Sequence, residues 1–388
     1  MAVDIYIINR LKILIFIFLN VLTGVASSQV RVRLFANRLP ESVVLTVING
    51  QYDVDCFNGD HLTVSKDEAV IILMYNDKLA VKNRNSTGYL VDSVFISGQT
   101  GHDSFSIRVN GPVSPKQNYS GDLYCYHDLE TLVLINNCPS EDYIAGVVKA
   151  EGGSGRNKEY FKTQAILART YMYMHQDKHI YDRYSVCDNT HCQAYNGVCS
   201  DTVIKSATLE TKGLVLTDKD SLLIISAFHS NCGGETSSSG DVWLATRPYL
   251  QKVHDPYCLS SINAVWEKIV SLSDWVALMK KSGYAGITDD PHAFKFTQNS
   301  RKSEYTAGSF TMSLNTIRNE MALRSTFFSV IPGKDFLILR GRGYGHGVGL
   351  CQEGAIQMAA KGLSFREIID FYYTGVSILD IKNAVNFE

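Results

Sequence analysis

The sequence predicts an α+β fold in which a β-rich N-terminal region precedes a larger domain of mixed helix and sheet. Over residues 29–136, apolar and polar side chains alternate in short runs with Gly, Asn and Asp between them, as in residues 30–34 and 42–47. Helical spacing of apolar residues begins only after this region, over residues 141–150 and 157–175. The chain has 388 residues, 45% of them hydrophobic, which is enough to form two packed units.

The first 28 residues have the pattern of an export signal. Arg10 and Lys12 precede an apolar run over residues 13–22, and small residues over 23–28 suit a signal peptidase. An uncleaved membrane anchor is the alternative, although the run is short for a spanning helix. We therefore expect a signal peptide (1–28), a β-rich region (29–136) and a second domain (137–388), and an exported protein of the cell envelope, periplasm or extracellular space.

The overall charge excludes one class of partner, and the cysteine count bears on redox state. Lys and Arg number 37 against 39 Asp and Glu, so no basic excess favours a nucleic-acid partner. Nine cysteines in an exported chain suggest disulfides, with Cys125 and Cys138 as one pairing that the spacing allows. Because nine is odd, at least one thiol is left unpaired or binds a metal.

The second domain mixes helical and strand patterns. Its predicted helices cover residues 141–150, 157–175, 272–281, 314–321, 352–361 and 364–373, and its predicted strands cover residues 213–217, 222–228 and 336–340. In the second helix, one stripe carries Phe161, Gln164, Ala165, Ala168 and Tyr171, whose small members permit close packing. The polar stretch over residues 288–308 is expected to form a loop or a small hairpin.

Glu151 is the candidate general acid. It ends the helix of residues 141–150 and is followed by two glycines, and a carboxylate at the negative pole of a helix favours its protonated form. The simpler interpretation is a solvated glutamate at a helix end. The other motifs of the second domain favour the catalytic interpretation.

A Cys-His-Cys cluster follows the second helix. Cys187, His191 and Cys192 lie within six residues and are ligand types that suit Zn²⁺. Adjacent His191 and Cys192 reach one ion only if the loop kinks. A Cys187–Cys192 disulfide is an equally valid interpretation in an oxidising compartment.

Two glycine-containing motifs are further candidates for contact with a ligand. Residues 228–236, with Gly233 and Gly234, follow a predicted buried strand and offer either a ligand-facing turn or an ordinary tight turn. Residues 341–355 hold glycines at alternate positions but lack the Lys-Ser/Thr ending of a phosphate-binding loop, which argues against a nucleotide cofactor. In that motif His346 and Gln352 are the candidate polar contacts.

In chain order, these stretches resemble the stage II sporulation protein D family, which includes amidase enhancers and peptidoglycan lytic transglycosylases. The resemblance covers residues 134 to 388, and its motifs are residues 141–151, 162–171, 192–195, 229–236, 324–328 and 341–355. The preceding region matches no family that we can name.

The resemblance implies a reaction and a set of site residues. Glu151 would be the single acid/base that cleaves the β-1,4 bond between N-acetylmuramic acid and N-acetylglucosamine, leaving a 1,6-anhydro end without water. Family members hold zinc through a histidine and the Cys of a Cys-Gln-x-Tyr motif, which implies Cys192 here, with Cys187 and His191 as further ligands. The implied substrate-binding residues are Gln164, Arg169, Tyr195, Ser230, Gly233, Gly234, Thr236, His346 and Gln352.

Three functional hypotheses follow. The first is an exported lytic transglycosylase that acts on peptidoglycan glycan strands, with a preference for strands freed of their peptides. The second is a non-catalytic wall-binding activator of a cell-wall amidase. The third, a cysteine protease using Cys232 with His229 or His346, is the weakest because no orienting Asn or Asp accompanies them in a recognisable pattern.

Overall fold

The computed structural model describes residues 28–85, 88–109, 115–243 and 245–385. Apart from Ser28, the predicted signal peptide lies outside these residues. No helix in these ranges is both long and apolar enough to cross a membrane. The described residues form two compact units: the first contains those up to Tyr143 together with Tyr181–Asn189, and the second contains Ile144–Ile180 and those from Thr190 onward. The predicted boundary between residues 136 and 137 falls inside a strand, Thr131–Pro139.

The first unit is built from strands. Those that the structure describes are β1 (Gln29–Leu34), β2 (Ser42–Asn49), β3 (Gln51–Asp55), β4 (His61–Ser65), β5 (Ala69–Tyr75), β6 (Lys78–Asn83), β7 (Tyr89–Val91), β8 (Ser93–Gly98), β9 (Ser104–Val109), β10 (Gln117–Ser120), β11 (Asp122–Asp128), β12 (Thr131–Pro139) and β13 (Val186–Cys187). They form a seven-stranded sheet in the order β13-β1-β12-β11-β8-β3-β4 and a six-stranded sheet in the order β10-β9-β2-β5-β6-β7.

Alternation of side chains explains why these residues form sheets. In β2, Val43, Leu45 and Val47 are fully buried while their neighbours are not, as a strand with one apolar face requires. The two sheets meet where Tyr52 of β3 packs edge to face on Phe105 of β9, with ring centroids 5.5 Å apart. The prediction of a β-rich N-terminal region is confirmed.

The second unit mixes helices with short strands. The helices, of which the first spans the boundary between the units, are α1 (Ser140–Gly152), α2 (Lys158–Met174), α3 (Thr202–Glu210), α4 (Ser239–Val242), α5 (Leu272–Lys281), α6 (Leu314–Glu320), α7 (Gln352–Ala360) and α8 (Phe365–Tyr372). The strands are β14 (Leu214–Thr217), β15 (Phe228–His229), β16 (Val265–Ser271), β17 (Glu304–Ala307), β18 (Phe310–Ser313), β19 (Phe328–Pro332), β20 (Phe336–Arg342), β21 (Leu350–Cys351) and β22 (Ser377–Asp380).

Short sheets organise this unit, and each brings distant segments together. They are β14-β22, the parallel pair β15-β21, the antiparallel sheet β16-β20-β19 and the hairpin β17-β18. Only β17 lies within residues 288–308, the stretch for which a loop or small hairpin is expected, and β18 follows it. A separate apolar core around Trp275, Phe294 and Tyr305 packs against the three-stranded sheet. The α+β class is therefore confirmed, and each predicted helix agrees with the observed one to within two residues at either end.

One predicted strand is wrong. Residues 222–228 contain only isolated bridges at Leu222 and Leu223 and then the two-residue strand β15. Side chains replace the missing ladder, because Tyr249 Oη accepts the Ile225 N–H at 3.1 Å and Ser226 Oγ donates to the Leu167 carbonyl at 2.9 Å. The apolar run of residues 222–228 therefore predicted a longer strand than the structure contains.

The suggested Cys125–Cys138 disulfide is also wrong. Cys125 on β11 faces Leu134 on β12, four positions before Cys138 on that strand. At about 3.3 Å per residue this register holds the two cysteines roughly 13 Å apart along the sheet. Both thiols are buried.

Candidate active site

Glu151 lies in the last turn of α1, and its side chain is partly buried. Its Oε1 atom accepts the backbone N–H of Ala194 at 2.9 Å. Burial raises the pKa of the Glu151 carboxyl, and the bond from Ala194 opposes that rise only in part. In the part of the chain that the structure describes, no cation pairs with this carboxylate, so a proton is retained more readily than on a solvated glutamate.

Gln352, the first residue of α7, is brought to Glu151 from 201 positions away. Its side-chain amide donates to the Glu151 backbone carbonyl at 3.2 Å. The parallel pairing of β15 with β21 places Phe228 opposite Leu350 and so sets the start of α7 beside residues 228–236. The structure therefore brings together two of the residues that the family resemblance implies.

Glu353 is a carboxylate near this site that the sequence analysis did not single out. It follows Gln352, and its two oxygens accept from Asn231 Nδ2 at 2.5 Å and from Asn263 Nδ2 at 2.6 Å. Both amides hold the side chain in one orientation. Its place in the motif of residues 341–355 was the available signal, but nothing local indicated the partner amides.

Tyr195 and Gln164 are buried beside the helices. The Tyr195 ring packs against Gly146 of α1 so closely that a Cβ there would lie 2.4 Å from Cε2. Gln164 of α2 is 2% exposed, and its Nε2 has no hydrogen-bond partner among the described residues. A buried amide donor without a partner is unusual in a folded protein and is suited to receive a ligand or a water.

Two implied substrate contacts, Arg169 and Thr236, lie in the protein interior. Arg169 is 1% exposed, and its guanidinium donates to the carbonyls of Leu214 at 3.0 Å and Thr208 at 3.2 Å. Thr236 is fully buried, and its hydroxyl accepts the Val253 N–H at 2.8 Å. Both side chains are hydrogen-bonded to backbone groups of the protein.

The paired glycines, Gly233 and Gly234, also lie against other parts of the protein. A Cβ at Gly233 would lie 2.6 Å from the Cβ of Arg342, and one at Gly234 would lie 3.0 Å from Leu259. The close neighbour of this backbone is therefore the protein itself. Both glycines have positive φ, which favours glycine.

His346 and Ser230 have protein partners as well. The His346 ring contacts the Phe228 carbonyl through Nε2 at 2.9 Å and accepts the Val348 N–H at Nδ1, 3.0 Å away. Burial lowers the pKa of His346 to about 4, so the ring is neutral and both nitrogens are used. Ser230 remains partly exposed, with Asn263 Nδ2 donating to its hydroxyl at 3.4 Å.

Three metal-ligand side chains of the second unit converge between α2 and the Cys192 segment. Cys192 Sγ lies 3.5 Å from His179 Nε2 and 3.7 Å from His191 Nδ1. The turn at Thr190 and His191 supplies the kink that lets adjacent His191 and Cys192 face one point. Two imidazoles and a thiol at these distances fit a zinc ion. His179 was missed because the segment around it carries no spacing pattern of its own.

Cys187, the other implied ligand, ends β13 in the first unit, where its thiol lies 3.6 Å from Asn189 Oδ1. It is buried, as are the other eight cysteines. Its role as a ligand stays a prediction.

A model of the stage II sporulation protein family matches residues 128–217, the segment that carries α1, α2 and Cys192. Over this segment the chain is similar to the stage II sporulation protein family. The family resemblance inferred from the sequence is thereby confirmed. The motifs of residues 229–236 and 341–355 lie outside the matched segment.

Named relatives extend this similarity over most of the chain. An uncharacterised protein of Brachyspira hyodysenteriae is 29% identical over 372 residues, which cover 91% of this chain and 96% of that protein. Stage II sporulation protein D of Bacillus subtilis is 27% identical over 65% of this chain and 78% of its own length. The amidase enhancer of Bacillus subtilis is 27% identical over 61% of this chain, although the alignment covers only 40% of the enhancer.

Proposed function

We propose that this chain acts on the bacterial cell wall as an exported peptidoglycan lytic transglycosylase. The similarity to the stage II sporulation protein D family and to an amidase enhancer supports the cell-wall role. The catalytic assignment rests mainly on one observation, the partly buried Glu151 carboxyl whose pKa is raised and whose hydrogen bond comes from a backbone N–H.

In the first step, protonated Glu151 acts as the general acid. It transfers its proton to the glycosidic oxygen while the bond between that oxygen and C1 of the muramoyl residue breaks. The N-acetylglucosamine unit leaves with a new hydroxyl, and Glu151 becomes a carboxylate. The Ala194 N–H then stabilises the charge on Oε1.

In the second step, the same carboxylate acts as the general base. It removes the proton from the muramoyl C6 hydroxyl as O6 bonds to C1, which closes the 1,6-anhydro ring and restores the acid. No water is consumed, so one carboxyl group is sufficient. A hydrolase of the usual kind needs a second carboxylate placed for water or for a covalent intermediate. The nearby carboxylate of Glu353 accepts hydrogen bonds from the side-chain amides of Asn231 and Asn263, so both of its oxygens already have partners.

The surroundings of Glu151 support a site for a glycan strand. Gln352 fixes the backbone at Glu151 through its carbonyl, and the Gln164 amide has a donor to offer. Tyr195 holds the segment that carries Ala194 against α1. We propose these three residues and Ser230 as the substrate-binding set, with strands freed of peptides as the favoured substrate.

Zinc has a structural place in this proposal. His179, His191 and Cys192 would hold it. Because Cys192 lies two residues before Ala194, a bound ion would fix the segment that donates to Glu151. When bound, the ion supplies rigidity through its ligand bonds.

Mass spectrometry of the soluble products tests the proposal. The chain and its Glu151→Ala variant are incubated with peptide-free and peptide-bearing glycan strands, with Glu210→Gln on exposed α3 as the control variant. We expect 1,6-anhydro-muramoyl products that disappear only with Glu151→Ala. Reducing-end products would show hydrolysis, and full activity in Glu151→Ala would refute the assignment.

The second candidate function is a non-catalytic activator of a cell-wall amidase. The observation that favours it is the similarity to the amidase enhancer of Bacillus subtilis. This function predicts strand binding without cleavage, together with faster release of peptides when a cell-wall amidase is added. The product analysis above separates the two functions.

A further inference from the structure

A second cluster of metal-ligand side chains lies in the core of the second unit. Cys232, Asp255, Cys258 and Cys351 are each 0% exposed. Their four donor atoms all lie within 4.8 Å of one another. Cys232 Sγ is 3.3 Å from Cys258 Sγ and 3.2 Å from Asp255 Oδ2.

These distances approach those of a tetrahedral zinc site. With Zn–S bonds of about 2.3 Å and Zn–O bonds of about 2.0 Å, neighbouring ligand atoms lie roughly 3.5–3.8 Å apart. The observed separations around Cys232 are a few tenths of an ångström shorter. Small side-chain rotations are therefore sufficient to seat an ion among the four donors.

The surrounding protein supplies the hydrogen bonds that anionic ligands require. Cys351 Sγ accepts the backbone N–H groups of Cys232 and Gly354, each at 3.3 Å. Asp255 accepts the Tyr372 hydroxyl at Oδ2, 2.9 Å away, and the Tyr257 N–H at Oδ1, 2.8 Å away. Outer contacts of this kind orient ligands and stabilise them in their metal-binding form.

A disulfide accounts for less of the cluster than a metal does. A bridge between Cys232 and Cys258 would use two thiols and leave Cys351 and the Asp255 carboxyl in a sealed core. Burying a carboxylate without a cation in direct contact is unfavourable. A divalent ion would use all four donors and neutralise part of their charge.

We propose that Cys232, Asp255, Cys258 and Cys351 form a structural zinc site, separate from the cluster of His179, His191 and Cys192. It would join the segment after β15 to the first turn of α7. Because Cys351 immediately precedes Gln352, the ion would also fix the residue that contacts the Glu151 carbonyl. Zinc binding here does not depend on strand cleavage, so the two proposals fail separately.

Zinc content and X-ray absorption at the zinc edge test this site. The measurements use the chain carrying Cys192→Ser, which disables the other cluster. We expect about one zinc per chain with a sulfur-dominated shell near 2.3 Å. Adding Cys258→Ser should remove that zinc, whereas adding Cys56→Ser, a buried cysteine of the first unit, should leave it in place.

A milder variant covers the case in which Cys258→Ser fails to fold. Asp255→Asn in the otherwise unchanged chain should lose zinc from this site to a chelator at least about tenfold more readily. A Cys232–Cys258 bridge in a non-reducing peptide map, a shell of nitrogen and oxygen alone in the Cys192→Ser chain, or zinc retained in full by Cys258→Ser would each overturn the proposal.

Discussion

The Glu151 carboxylate accepts a hydrogen bond at 2.9 Å from the backbone of Ala194, which lies 43 residues later in the chain. Ala194 lies two residues after Cys192. The same short segment therefore carries a candidate metal ligand and donates a hydrogen bond to the candidate acid. This arrangement couples the position of the carboxyl group to the packing of one short segment.

Glu151→Gln should stabilise the protein at neutral pH. Burial raises the folded-state pKa of Glu151, so the carboxyl contributes most to stability below the ordinary glutamate pKa and that contribution is lost as pH rises through the raised value. The amide of the variant cannot ionise and avoids this loss. Thermal denaturation from about pH 3 to about pH 8 should show a melting temperature advantage that appears only at the higher pH.

Glu210→Gln is the control of opposite sign. Lys158 and Lys162 lower the pKa of the exposed Glu210 to about 2, so its contribution is present above the ordinary glutamate pKa and is lost as pH falls through the lowered value. This variant should be slightly less stable at neutral pH, by a margin that salt reduces. An advantage for Glu151→Gln that is the same at every pH would contradict the raised pKa.

Gly146→Ala should lower both stability and activity. The new methyl group would lie 2.4 Å from Tyr195 Cε2 and 2.5 Å from the Gly197 carbonyl oxygen, which forces the segment carrying Ala194 away from α1. Overpacking of this kind costs about 1–3 kcal/mol of unfolding free energy. Denaturant titration measures the free energy of unfolding, and the amount of soluble product formed from glycan strands measures the activity.

Gly152→Ala, in the same helix, is the matched control. Its methyl group would meet Tyr160 at 3.4 Å, an ordinary contact, and alanine favours a helix over glycine by up to about 1 kcal/mol. Equal stability of the two alanine variants would show that the Tyr195 ring does not pack closely against α1 at Gly146.

Arg169→Ala should reduce stability without weakening binding of glycan strands. The substitution removes the guanidinium hydrogen bonds to the Leu214 and Thr208 carbonyls and opens a cavity, at a cost of about 3 kcal/mol or more. Chemical denaturation and strand pull-down at a temperature where the variant is folded check both parts. Strand binding lost from a folded variant would restore the substrate-binding role that the resemblance implies.

His179→Ala should release zinc from the first cluster. His179 Nε2 lies 3.5 Å from Cys192 Sγ, and loss of one ligand from a site of this kind lowers metal affinity strongly. Metal analysis after dialysis should show about one zinc fewer per chain. His292→Ala, on an exposed residue elsewhere in the second unit, is the control. Unchanged zinc in His179→Ala would exclude this histidine as a ligand.

The sequence by itself determined the elements whose signals are local. Strand and helix periodicity repeat every two to four positions, so neighbouring residues are sufficient to predict these elements. Examples are the alternation in β2, the helical stripes of α2 and α5, and the position of Glu151 at the end of α1. The order of the motifs was sufficient to indicate the family.

Tertiary structure alone decided which of those residues share a site. Gln352 reaches Glu151 across 201 positions, Arg169 is buried by segments that follow it, and Asp255 joins three cysteines although no motif surrounds it. His179 likewise faces Cys192 only in the folded chain. The physical reason is that these contacts arise from packing between segments far apart in the chain, which local propensity does not encode.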